Sequence, residues 1–135
     1  MATPITEIEG IGNTQGAKLQ EIGIHTIEQL LQAGNYPKGR SDLAQQTGIA
    51  PKVLLKWIGM ADLFRVQGVG KQFAELLKVA GVDTVKELKM RNAANLQTTL
   101  TEVNAEKKVC KAVPHEVQLR HWIAQAKHLE TRLSY

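Results

Sequence analysis

The chain has a single cysteine, Cys110, in 135 residues, so no disulfide can form within it, which fits a reducing compartment. No run of 18 or more apolar residues occurs, and no transmembrane span is expected. The segment Met1-Ala2-Thr3-Pro4-Ile5 lacks the basic and apolar regions of a signal peptide, so a cytoplasmic location with no membrane association is expected. Strand-like alternation of useful length is missing too, as are low-complexity segments. Several chemistries lack their residues. There is no Gly-x-x-x-x-Gly-Lys-Ser/Thr phosphate loop and no Asp-x-Asp pair for a metal-dependent nuclease. His115, His121 and His128 follow Cys110, but no second Cys/His pair completes a zinc site. Cys110 and His115 have no surrounding motif that would make them nucleophile and base. No enzymatic activity, cofactor or metal ion is expected.

What the chain does have is self-similarity. Ile8-Glu9-Gly10-Ile11-Gly12 returns 58 residues later as Val66-Gln67-Gly68-Val69-Gly70. The same register pairs Leu19 with Leu77, Gly23 with Gly81, Thr26 with Thr84 and Leu30 with Leu88. Ile8, Ile11, Ile24 and Ile27 meet Val66, Val69, Val82 and Val85. Glycines, a threonine and branched aliphatics held in one register mark a duplicated structural unit.

Each copy reads as turn, helix, glycine turn, capped helix. Ala17, Leu19 and Ile22 in Asn13–Ile22, and Phe73, Ala74, Leu76, Leu77 and Ala80 in Lys71–Ala80, recur at helical steps. Gly23 and Gly81 fit left-handed positions just past a helix end, with Ile24 and Val82 folding back behind them. Thr26-x-x-Gln29 and Thr84-x-x-Glu87 fit capping boxes. Beyond these cores, Ser41 is expected to start a short helix ending at Gly48, and Pro51 and Pro114 to open longer ones. Trp57-Ile58 and Trp122-Ile123 match at an offset of 65, which places a seven-residue insertion in Asn104–Val113. Equivalent places in amphipathic helices make both tryptophans core residues rather than base-stacking platforms.

The fold class expected is therefore all-α: two pseudo-symmetric repeats, about 1–64 and 65–135, packed through their aliphatic faces as one compact domain. A glycine turn at a helix start exposes amides without intrahelical partners, at the positive end of the helix dipole, and these suit a phosphate oxygen. The patterns Ile8-x-Gly10-Ile11-Gly12-x-x-x-Gly16 and Val66-x-Gly68-Val69-Gly70-x-x-x-Ala74 resemble helix-hairpin-helix motifs. Such motifs occur in repair and recombination proteins, where the hairpin grips a duplex backbone without reading sequence. Two copies about a pseudo-twofold make the tandem domain. With Trp57-Ile58, Ala61-Asp62-Leu63, Ala80-Gly81-Val82-Asp83-Thr84-Val85 and Arg91-Asn92, the chain is also similar over nearly its whole length to a bacterial domain family of unknown function. The pattern often has proline where Glu9 and Gln67 stand, so this chain departs from it in both copies.

Charge separates the copies. Residues 1–62 hold five Lys/Arg against six Asp/Glu, and residues 63–135 hold twelve against seven. The second turn has Arg65 before it, Lys71 after it and Lys78 further on; the first lies between Glu7, Glu9, Asn13 and Thr14, with Lys18 its nearest cation. Lys107, Lys108 and Lys111 extend the basic half. The expected function is non-catalytic, sequence-independent binding of nucleic acid, duplex DNA foremost. Gly68, Val69, Gly70 and Lys71 would hold a backbone phosphate, supported by Arg65, Lys78, Gly10, Gly12, Asn13 and Thr14. The alternative is a module that binds an unidentified protein, its glycine turns serving only the fold.

Overall fold

Gly23 and Gly81 end their helices as their positions predict, with φ of +88° and +92°. The computed structural model describes residues 3–135; Met1 and Ala2, the start of the segment compared with a signal peptide, lie outside the described residues. After α1 (Asn13–Glu21), the amide of Gly23 donates to Gln20 and that of Ile24 to Leu19, at 3.0 Å each. After α5 (Lys71–Val79), Gly81 donates to Lys78 at 3.0 Å and Val82 to Leu77 at 2.8 Å. This pair of bonds is the Schellman closure, and Ile24 and Val82 are buried behind it.

Both threonines then start the next helix. At α2 (Ile27–Gly34), Thr26 Oγ1 accepts from the Gln29 amide at 3.1 Å while Gln29 Oε1 takes the Thr26 amide at 3.2 Å, a complete capping box. At α6 (Val85–Leu88), Thr84 Oγ1 accepts from the Glu87 amide and donates to Glu87 Oε1. Glu87 Oε2 takes the Asp83 amide, as Gln29 Oε1 also takes that of His25, but the Thr84 amide is not bonded to Glu87. Thr26→Ala removes the acceptor and strands Gln29. It should lower stability by about 1 kcal/mol, read as a fall in the urea midpoint at unchanged slope.

Every regular element among the described residues is a helix; no strand occurs beyond one isolated bridge between Pro4 and Thr26. The remaining elements are a 3-10 turn (Ile5–Glu7), α3 (Pro37–Thr47), α4 (Pro51–Leu63), α7 (Ala93–Lys107) and α8 (Glu116–His128). None of the helices is long and apolar enough to cross a membrane. The chain divides into two compact units, Met1–Asp62 with Arg132–Tyr135, and Leu63–Thr131.

In the first unit, α2 packs on α3 and the 3-10 turn on α1, with Ile5, Ile8, Leu19, Leu30 and Leu54 fully buried. The sequence reading placed the start of α3 at Ser41; it begins four residues earlier, at Pro37. Proline is well suited to the first helical position, and a Cβ at Gly39 would collide with the carbonyl of Ala33, so only glycine lets the turn from α2 close this tightly. Arg40 is the unexpected core residue. Only 6% exposed, it donates from Nη1 to the Gly34 carbonyl at 2.8 Å and from Nη2 to the Ser134 carbonyl at 2.6 Å, clasping the last residues to α2. Burial pulls its pKa down from the ordinary arginine value, and attraction to Tyr135 opposes that shift.

In the second unit, α7 packs on α5 and α8, and α6 on α8, around Val66, Leu77, Leu88, Leu96 and Leu119. Pro114 does not open α8; the helix begins at Glu116, with His115 as its N-cap and Pro114 one residue outside. Part of the expected insertion is helix as well. Asn104–Lys107 form the end of α7, Lys108 closes it at φ +54°, and the carboxamide of Asn104 holds both backbone groups of Cys110 at 2.9 Å.

Candidate nucleic-acid interface

The two glycines of each Gly-aliphatic-Gly turn do different work. In the second unit, the amide of Val66 donates to Leu63 and that of Val69 to Val66, at 3.1 Å each, and both valine side chains are buried. Gly68 is the third residue of the turn Val66–Val69 and has φ +98°, the position where a type II turn requires positive φ. A Cβ there would sit 2.8 Å from Trp122 Nε1. Gly68 is thus obligatory for the fold. Gly70 is not. It is the N-cap of α5 with extended backbone (φ −107°, ψ −162°), and nothing lies within 4 Å of where its Cβ would be.

The first unit is built the same way. The Ile11 amide donates to Ile8 at 3.1 Å, Gly10 has φ +101°, and its Cβ position is 3.1 Å from Trp57 Nε1. Gly12 is the extended N-cap of α1 (φ −86°, ψ −173°) with open space beside it. Trp57 and Trp122 are 4% and 2% exposed, and they form the platforms under the turns rather than surfaces for bases. Gly16 is buried with Thr6 Cγ2 and Ile11 Cγ2 at 3.6 and 3.7 Å from a Cβ, room for one methyl, which is what Ala74 supplies at the matching place.

Neither Gly12 nor Gly70 supplies a side-chain cap to its helix, and both glycines are exposed. Lys71 stands at the first position of α5 and is exposed, as are Asn13 and Thr14 at the start of α1. The supporting cations are placed otherwise. Lys78 lies about two turns along α5, roughly 10 Å in rise from Lys71, and its Nζ is paired with Asp83 at 3.0 Å. Arg65 Nη2 donates to the Glu130 carbonyl at 2.6 Å, which holds the guanidinium toward the end of α8. Gly68, Gly70 and Lys71 are therefore exposed side by side, with the Val69 side chain buried beneath them, while the Lys78 ammonium is held by Asp83.

Gln125 is a site residue that sequence reading missed. Its Oε1 accepts from the Gln67 amide at 2.9 Å and its Nε2 donates to the Gln67 carbonyl at 3.2 Å, pinning the second turn to α8. A proline at position 67 has no N–H to give, which accounts for the departure from the proline pattern here. The signal was a glutamine on an apolar helix face, where the offset of 65 puts Met60 in the first copy.

Residues 9–129 match the family model described as a domain of unknown function, DUF4332. The chain belongs to the DUF4332 family. No curated protein and no solved structure matches it. The geometry of this DUF4332 domain is therefore what speaks to function. Among its described residues no three His, Cys, Asp or Glu side chains are grouped to hold a metal ion. Cys110 Sγ faces the Gln72 carbonyl at 3.5 Å, and burial, followed by the nearby Glu75, pushes the thiol pKa up, the reverse of nucleophile activation. The native protein should react with Ellman's reagent at neutral pH many times more slowly than the denatured chain, with one thiol released on denaturation.

Proposed function

We propose that the chain is a tandem helix-hairpin-helix domain that binds duplex nucleic acid along its phosphate backbone, without catalysis and without reading sequence. The observation that carries this is the pair of glycines at Gly12 and Gly70. Neither backbone angles nor crowding call for glycine at these N-caps, and serine or aspartate would cap the helices better. A bare N-cap beside outward amides is what the close approach of another backbone requires.

The second turn leads, since Lys71 adds a cation to its amides, with Arg65 and Lys78 set back from it. The first turn, at Gly10, Gly12, Asn13 and Thr14, offers amides and hydroxyl donors between the exposed carboxylates of Glu7 and Glu9 and contributes less. Retardation of a short duplex at low salt tests the reading. Affinity should fall with rising salt at a log–log slope of about −0.9 per phosphate contacted, equally for unrelated sequences. Absence of binding at low salt, with salt-insensitive capture of a protein instead, would favour the interaction module.

A further inference from the structure

The second unit holds a cleft of about 430 Å³ between the start of α7 and the outer side of α8. That is within the range, about 300–1,000 Å³, that small-molecule sites occupy. Its walls carry Arg91, Arg120, Lys127 and His128, with Glu116 the one carboxylate. Glu116 is already neutralised by an ion pair with Arg120 four residues on. The Arg91 and Lys127 side chains make no hydrogen bond or ion pair among the described residues, so two full charges line the cleft uncompensated.

The floor supplies donors of a second kind. Ala93 and Ala94 line the cleft at the first two positions of α7, and their amides make no hydrogen bond among the described residues. The Asn92 side chain caps only the Asn95 amide, at 3.0 Å. Ile123 and Ala124 add an apolar wall. The Arg91 guanidinium fork, the Lys127 ammonium and two neighbouring backbone amides lining one cavity match the oxygens of a phosphate group, and the apolar wall suits the carbon skeleton that bears it.

The cleft is distinct from the glycine turn. Trp122 and Gln125 of α8 meet the turn, whereas Arg120, Ile123, Ala124 and Lys127 leave the same helix on roughly the opposite side, at about 100° per residue. We propose that this cleft binds the phosphate groups of a small phosphorylated ligand, independently of nucleic-acid binding at the turn.

Inorganic pyrophosphate is the probe, titrated into the full chain and followed by backbone amide NMR and calorimetry. The amides of Ala93 and Ala94 should move with a single saturating isotherm. Arg91→Gln should weaken binding roughly tenfold, the scale of one charge-assisted hydrogen bond. Glu116→Gln should tighten it about threefold by releasing Arg120 from its ion pair. Lys71→Glu should leave it unchanged, which separates this site from the turn. All three positions are polar, and unchanged melting curves would show that the variants fold. Shifts scattered over surface lysines without Ala93 and Ala94, or equal binding by Arg91→Gln, would overturn the proposal.

Discussion

Gly68→Ala is expected to cost about 3–4 kcal/mol of stability, while Gly70→Ser, two residues on, leaves stability unchanged or raises it by a few tenths of a kcal/mol. Two costs add at Gly68. An L-residue at φ +98° is strained by about 1–2 kcal/mol. Its methyl would also lie 2.8 Å from the Trp122 indole nitrogen. Trp122 has little room to retreat, because it is 2% exposed and its ring stacks at a tilt on Phe73 with centroids 5.3 Å apart. Overpacking of this kind costs about 1–3 kcal/mol. Gly10→Ala should be destabilising in the same direction but less so, its gap to Trp57 being 3.1 Å. Gly70 meets neither penalty, and a serine hydroxyl there can accept from the first-turn amides. Urea melts of the variants measure the contrast; equal losses at positions 68 and 70 would refute the division of labour between the two glycines.

The same division makes a binding prediction of comparable size. Gly70→Asp should fold at least as stably as the parent, because aspartate is among the best N-caps and its charge suits the helix start. Yet it sets a carboxylate where the phosphate oxygen would sit. Affinity for a short duplex at low salt should fall by roughly tenfold, about 1.4 kcal/mol. Lys71→Glu should do the same, and should reduce the salt slope by about 0.9 for the phosphate lost. Both losses should be uniform across unrelated duplex sequences, since phosphate contacts position a protein without specifying bases. Fluorescence anisotropy with two duplexes of different sequence reads both effects. A stable Gly70→Asp protein with unimpaired binding would remove the second turn from the interface.

The local parts of this structure were legible because each is written within a few residues. A glycine three residues before Thr26 or Thr84 announces a left-handed turn, and the aliphatic and threonine behind it complete the closure and the cap. Trp57 and Trp122 were legible as core residues from their matching positions in apolar helical patterns. The parts that were not legible depend on partners far along the chain or on helices with little apolar signal. Only Leu96 and Leu100 of α7 are buried, and Thr98, Thr99 and Thr101 bond back to the carbonyls of Ala94, Asn95 and Gln97, so the segment reads as polar and β-branched. Arg40 reaches Ser134 across 94 residues, and the clasp of Gln125 on Gln67 spans 58. Asp83 occupies the Lys78 ammonium, since the Schellman turn at Gly81 brings the chain back beside the end of α5. The cleft lined by Arg91 and Lys127 joins residues 36 apart and has no local pattern at all.

The central claim is that bare first-turn amides, led by those after Gly70, receive backbone phosphate. Amide NMR during addition of a short duplex at low salt tests it most directly. The account predicts that the amides of Gly70, Lys71 and Gln72 shift most, that those after Gly12 shift less, and that both responses collapse as salt rises. Shifts confined to other surfaces, or unchanged at high salt, would contradict it.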